Sequence, residues 1–221
     1  MTGAGISAES GLSTFRDHDG LWNNFSVYDV ATPEGWAANP ELVLEFYNQR
    51  RRKVAEAEPN AAHEALAKLE AHFEVTVITQ NVDNLHERAG STQIIHLHGE
   101  ITKARSIDDI NRVYKIGHKD ILLADTDEFG SQLRPHIVWF GESVQNFEQS
   151  AHAVEAADKV LVVGTSLSVY PAAGLADLCQ PTAEKILVAL DVDHQPEGFK
   201  FYQGKATEMV PKITRTWTMD K

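Results

Sequence analysis

Four short stretches of the chain carry residue types that could do chemistry. Gln80-Asn81-Val82-Asp83 leaves an apolar run at residues 75–79 that reads as a buried strand, and His98-Gly99 leaves a second apolar run at residues 94–97. Gly3-Ala4-Gly5-Ile6-Ser7 opens the chain, and Gly164-Thr165-Ser166 follows the apolar residues 159–163. Each puts polar or glycine residues where an α/β sheet presents the carboxyl ends of its strands, the usual ligand crevice of such folds. Gly3-Ala4-Gly5 would let backbone approach a pyrophosphate whose charge the following helix amides can hold. The imidazole of His98 has an unperturbed pKa near 6.5, which suits a general base at neutral pH. Asn81 can orient a hydroxyl or a water without titrating. Asp191 and Asp193, just past the last strand, could hydrogen-bond ribose hydroxyls. Taken singly, each piece is also what an ordinary cap, turn or core residue looks like. His96 and His98 alternate, so a strand would aim them to one side as two metal ligands or two core histidines.

The elements that must position these residues follow from pattern. Asn39-Pro40 is a helix start, with a capping side chain and proline at the first helical position. The helix runs to about Glu56 with Leu42, Val43, Phe46, Tyr47 and Val54 on one side. Tyr47 and Arg50 are three apart and share that apolar face. Arg51, Arg52 and Lys53 read as solvated charges. A second helix spans 63–72 and a third 84–89, with others near 147–157 and after Pro171; strands are expected at 75–79, 94–97, 159–163 and 185–190. This alternation implies a Rossmann-like, doubly wound parallel sheet, α/β in class. Residues 21–60 form a helical insertion. Residues 100–135 are charged and weakly periodic and read as a small inserted module, the whole of 1–221 being one catalytic domain.

Bulk properties narrow the function. The net charge of −12 argues against nucleic acid and anionic membrane surfaces, which require a basic footprint. Cys179 is the one cysteine, so an internal disulfide and a cysteine-cluster metal site are excluded. No stretch is long and apolar enough for a bilayer, and a reducing cytoplasm is the simplest setting. No apolar strand precedes the glycine turn at Gly3; a start placed too far downstream, or a truncation, is the favoured explanation. The oligomeric state is left open.

The string Gly3-Ala4-Gly5-Ile6-Ser7-Ala8-Glu9-Ser10-Gly11, then Phe15-Arg16, resembles the opening motif of the sirtuins. Gln80-Asn81-Val82-Asp83, His96-Leu97-His98-Gly99, Trp139-Phe140-Gly141-Glu142 and Gly164-Thr165-Ser166 match that family in order and spacing, over a span from Thr2 to about Pro211. The resemblance implies removal of acyl groups from protein lysines with NAD as co-substrate, releasing nicotinamide and O-acyl-ADP-ribose. It implies His98 as general base with Asn81 beside it. It places Ala4, Phe15, Arg16, Asn81 and Asp83 around the nicotinamide ribose, Asp83 holding the carboxamide. Gly3, Gly5, Ser7, Gln80, Val82, Gly164, Thr165, Ser166, Asp191, Val192, Asp193 and Ala206 complete the expected NAD contacts. Val138 to Gly141, including Trp139 and Phe140, and Ser168, Val169 and Tyr170 would flank an extended substrate peptide as strand partners.

Tyr47-x-x-Arg50 matches the sirtuin subgroup that accepts succinyl- and malonyl-lysine, and Ala31 falls where that subgroup has a small residue. A guanidinium among apolar residues wants an anion, and its fork fits a carboxylate; an internal Asp or Glu would serve equally from the helix pattern alone. Most sirtuins bind zinc through two C-x-x-C pairs, and residues 103–134 have no cysteine, so no structural zinc is expected. His118 among aspartates reads as surface. Ile110, Val113, Tyr114, Ile121, Leu122 and Leu123 are then the expected packing of the module. ADP-ribosyl transfer, NAD hydrolysis and a non-catalytic NAD- or ADP-ribose-binding module are the competing readings.

Overall fold

Strand alternation decides the architecture. In β8 (Lys159–Val163), Leu161 and Val163 pack on one face of the sheet, and Val160 and Val162 on the other. In β9 (Glu184–Ala189), Ile186 and Val188 face the first side, Leu187 the second. Side chains of period two that are apolar on both faces require cover on both. The first face is covered by α1 (Ala4–Ala8), α5 (Ala61–Leu69) and α8 (Ala206–Met219), through Ile6, Leu66, Val210, Ile213 and Trp217. The second is covered by α7 (Phe147–Glu155) and a 3₁₀ helix at Ala172–Leu178. The computed structural model describes residues 1–14, 21–22, 25–192 and 195–219.

All pairings in this sheet are parallel. β10 (Lys200–Gln203), β9 and β8 form one half, and β3 (Val77–Thr79) with β4 (Ile94–His96) the other. Thr2 bridges the halves, pairing with both Thr79 and Val163. Its N–H donates to the Ile78 carbonyl at 2.8 Å and its own carbonyl accepts from Gln80 N–H at 2.9 Å. A doubly wound parallel sheet is therefore present. The strand expected at residues 75–79 is shorter, and the element after Pro171 is 3₁₀ rather than α-helical. α8 carried no expectation, because Pro211 interrupts its pattern.

Two short β strands, β1 (Leu21–Trp22) and β2 (Phe25–Ser26), pair antiparallel. They precede α2 (Val27–Val30) and α3 (Pro33–Ala38). α4 (Pro40–Glu56) is capped as expected, Asn39 Oδ1 accepting from Leu42 N–H at 3.1 Å. Val43, Phe46, Tyr47 and Val54 pack against Ile101, Ile137 and Trp139. Arg51 corrects the sequence reading: it is wholly buried, not solvated. Its Nε donates to the Ile101 carbonyl at 2.8 Å and its Nη1 to Asn48 Oδ1 at 2.6 Å. The hidden cause is that α4 is covered on two faces, Phe46 and Tyr47 packing against Ile101, Ile137 and Trp139, and Leu44 against Ala104 and Ile121.

α6 (Leu85–Ala89) leads to β4, and beyond it the small module is an antiparallel sheet of order β6-β5-β7. Its strands are β5 (Gly99–Ser106), β6 (Val113–Lys115) and β7 (Leu133–Ile137). Of its expected packing residues, Ile121 alone is buried; Ile110, Val113, Leu122 and Leu123 are exposed, and Tyr114 hydrogen-bonds Glu128 at the surface. Polar links do the work instead. Asp127 accepts from Phe129 and Ser131 N–H, both at 2.9 Å, and pairs with Arg112 at 2.5 Å. Asn48 clamps Ile121, donating to its carbonyl at 2.9 Å and accepting from its N–H at 3.0 Å.

Candidate functional site

At the carboxyl ends of β3 and β8 lies a cavity of about 500 Å³. Two glycine turns form its floor. A Cβ on Gly5 would stand 2.7 Å from Gly164 Cα, and Gly164 has φ +64, so the turns interlock only because both lack side chains. Gly3, Ala4, Gly5 and Ser7 line the cavity from one turn, and Gly164, Thr165 and Ser166 from the other. Asp191 and Ala206 reach it from the ends of β9 and the start of α8. Val192 does not; it packs half-buried against the Val160–Val162 face of the sheet. Phe15, Arg16 and Asp193 lie outside the described residues.

The segment after β3 supplies the polar wall. Asp83 Oδ2 accepts from Ser7 Oγ at 3.0 Å and Oδ1 from Leu85 N–H at 3.1 Å. Burial raises its carboxyl pKa, an effect these two donors oppose. Asn81 Nδ2 donates to Ser7 Oγ at 3.1 Å, and Asn81 N–H to Thr79 Oγ1 at 3.0 Å. His63, which carried no expectation, stands behind Ser7 with Nε2 at 3.4 Å; Nδ1 accepts from Asn60 N–H, and burial pushes its pKa down to about 4. A capping-box role on α5 hid it in the sequence. Gln80 and Val82 also face the cavity.

His98 lines the same wall. Nδ1 lies 3.0 Å from the Gln80 carbonyl, which can only accept, so that nitrogen carries the hydrogen and the lone pair sits on Nε2. Burial lowers its pKa, against the pull of that hydrogen bond, and the ring is neutral at pH 7. An oriented, neutral imidazole is a proton acceptor. His96 separates from it: it ends β4, with Nε2 at 2.7 Å from Glu87 and Nδ1 at 3.2 Å from the Asn81 carbonyl. Glu87, His96 and Glu100 have ligand atoms within 4.8 Å of one another, yet Glu87 already holds His96 and Lys103 holds Glu100.

The far end is apolar with two polar heads. Tyr47 and Arg50, one turn apart on α4, line the cavity with Ala31 and Val54. Burial lowers the Arg50 pKa to about 10 and raises that of Tyr47 to about 12, so both stay protonated at neutral pH. Trp139 Nε1 donates to Tyr47 Oη at 3.1 Å. Arg134 lies over the indole, 3.2 Å from the ring centroid, and shares Glu142 with Arg105. Glu142 was visible only as the last letter of a motif. Val138, Phe140 and Gly141 on one rim and Ser168, Val169 and Tyr170 on the other bound the mouth; Phe140 and Tyr170 are exposed.

Fold and cavity together define an α/β protein whose ligand crevice opens at the strand ends of a parallel sheet. The Sir2 family model matches residues 3–171, and the chain belongs to that family. It is 56% identical over 175 residues to the NAD-dependent protein deacylase of Helicobacter pylori (strain ATCC 700392 / 26695), covering 79% of this chain and 76% of that protein. It is 49% identical to the NAD-dependent protein deacylase of Vibrio cholerae, covering 96% and 89%. A Sir2 homologue–NAD complex superposes with TM-score 0.89 at 40% identity, covering 99% of this chain and 88% of that one. A mutant Sir2 homologue bound to ADP-ribose gives 0.92 at 39%, covering 99% and 90%.

Proposed function

We propose that the protein is an NAD-dependent protein deacylase that removes succinyl and malonyl groups, and also acetyl, from lysine side chains. The family and its deacylase relatives support the enzyme class. The observation that carries the acyl preference is the pairing of Tyr47 and Arg50 in an otherwise apolar end of the cavity holding His98. A guanidinium and a phenol side by side suit a carboxylate at the tip of an acyl chain, and Ala31 leaves room for that chain.

The crevice fits NAD in kind: interlocked glycine turns expose backbone, and acceptors and donors stand at Asp83 and Asn81. NAD, when bound, supplies an electrophilic ribose carbon and nicotinamide as leaving group. Gly3, Ala4, Gly5, Ser7 and Gly164 to Ser166 would hold the pyrophosphate and its ribose, with Gln80 and Val82 beside them and Asp191 and Ala206 toward the adenosine. Asp83 would hold the carboxamide. Asn81 would orient a ribose hydroxyl or a water, and His98 would take a hydroxyl proton at Nε2. Val138 to Gly141 and Ser168 to Tyr170 would pair with the backbone of an acylated protein segment. The reading includes no structural zinc, because the module has no thiolate to offer; one equivalent of zinc in purified protein would contradict it.

The test is mass spectrometry of matched succinyl- and acetyl-lysine peptides, with and without NAD, following O-acyl-ADP-ribose. Its appearance separates deacylation from ADP-ribosyl transfer, plain NAD hydrolysis and mere binding. A charged hydrogen bond contributes roughly 1.5–3 kcal/mol, so Arg50→Met is expected to lower desuccinylation about ten- to hundredfold more than deacetylation. Equal losses would sink the assignment.

A further inference from the structure

We infer that Trp139 sets the polarity of the Tyr47 hydroxyl and thereby makes the acyl end of the cavity accept a carboxylate in preference to its isosteric amide. The inference rests on the reading of Tyr47 and Arg50 as acyl-recognising residues. An indole N–H is a donor with no acceptor capacity. At 3.1 Å from Trp139 Nε1, the Tyr47 oxygen therefore accepts, and its own hydrogen must be directed elsewhere. Both side chains are buried, 2% and 0% exposed, so water does not answer that hydrogen from the protein side. Among the described residues no acceptor stands on it. Arg50, beside Tyr47 in the cavity, offers donors alone. A phenol with its oxygen engaged can only donate, and a guanidinium, whatever else it binds, can only donate too. A carboxylate supplies acceptors to both; a primary amide must turn an N–H toward one of them.

The indole is held in this pose from three sides. Arg134 stacks on its ring, Glu142 Oε2 accepts from the Trp139 backbone N–H at 2.8 Å, and Trp36 packs at 5.7 Å between ring centroids. Arg134 and Arg105 both hold Glu142, so the acceptor that fixes Trp139 is itself fixed. Trp139 is thus a positioning residue acting through Tyr47.

The experiment compares kcat/KM on three otherwise identical peptides bearing succinyl-, succinamoyl- and acetyl-lysine. The wild type is expected to favour succinyl over succinamoyl. Trp139→Phe is expected to lower that ratio about three- to tenfold, chiefly through KM for the succinyl peptide, as the loss of one neutral hydrogen bond implies. Tyr47→Phe should lower it comparably, and adding Trp139→Phe to Tyr47→Phe should change it no further, because the two act as one unit. A Trp139→Phe effect of equal size in both backgrounds, or an equal loss on all three peptides, would overturn the inference and leave the indole as packing. Should Trp139→Phe fail to fold, Tyr47→Phe carries the test: an unchanged succinyl-to-succinamoyl ratio overturns it. If Tyr47→Phe and Arg50→Met both leave the succinyl-to-acetyl ratio at the wild-type value, the acyl-pocket reading itself fails, and this inference with it.

Discussion

The two ends of the cavity are built on different principles. At the end holding His98, polar atoms answer one another: Asn81 and Asp83 converge on Ser7, and His98 is pinned by the Gln80 carbonyl. At the end holding Tyr47 and Arg50, a phenol and a guanidinium line an otherwise apolar part of the cavity, and the Tyr47 oxygen accepts from Trp139. On the proposed reading the first arrangement would fix a reaction geometry whatever acyl group arrives. The second would discriminate between acyl groups and take no part in proton transfer. Chemistry and selectivity would thereby be separable by mutation.

The largest expected effect tests that separation. His98→Ala should lower turnover about 10²- to 10⁴-fold, by the same factor on succinyl- and acetyl-lysine peptides in steady-state assays. A factor that depends on the acyl group would break the comparison. Next comes Glu142→Gln, which leaves the Arg105 and Arg134 guanidiniums, both buried, without their shared carboxylate. It should cost about 3 kcal/mol of stability, read from urea midpoints. A variant as stable as wild type would show that the acyl end is not braced through this pair.

Acid has an effect that is smaller per histidine and per pH unit but cumulative. His63 and His136 are held at about pKa 4, and His86 well below the usual value, all by burial. Between pH 6.5 and 4 the unfolded chain binds protons at these sites and the native one does not. Stability should therefore fall with pH in that window, by up to about 1.4 kcal/mol per unit per histidine. Chemical denaturation at pH 5 and 7 checks it. In pH–rate profiles His98, whose pKa is lowered, should remain a competent base below pH 6.5. A catalytic limb centred at or above 6.5 would contradict its environment.

The smallest effect is an expected constancy. Arg50 at about 10 and Tyr47 at about 12 do not titrate near neutrality. The succinyl-to-acetyl ratio should accordingly stay flat from about pH 6.5 to 9 even where both rates change. A slope would mean that a third titrating group reads the acyl tip.

What could be read from the sequence follows the same division. The catalytic end is made of consecutive residues at strand ends, so Gln80 to Asp83 and His98 announce themselves as polar letters after apolar runs. Tyr47 and Arg50 were found from helical spacing, since α4 is regular and well capped. Arg51 was misread because burial on the module's side leaves no apolar period around it. The module's own packing was misread for the converse reason: its apolar residues alternate with charges, yet polar links to Asp127 and Asn48 hold the loops. His63 escaped notice since Ser7 reaches it from 56 residues away, and the role of Glu142 was hidden since Arg105 lies 37 residues before it.

One detail of α4 bears on how such a protein can change over time. Asn48 and Arg51 grip the module by the main-chain atoms of Ile121 and Ile101, not by their side chains. Amide and carbonyl groups are the same whichever residue carries them. Mutations can therefore rewrite the module's surface while the handhold persists. The helix that presents Tyr47 and Arg50 is thus insulated from side-chain changes at Ile121 and Ile101.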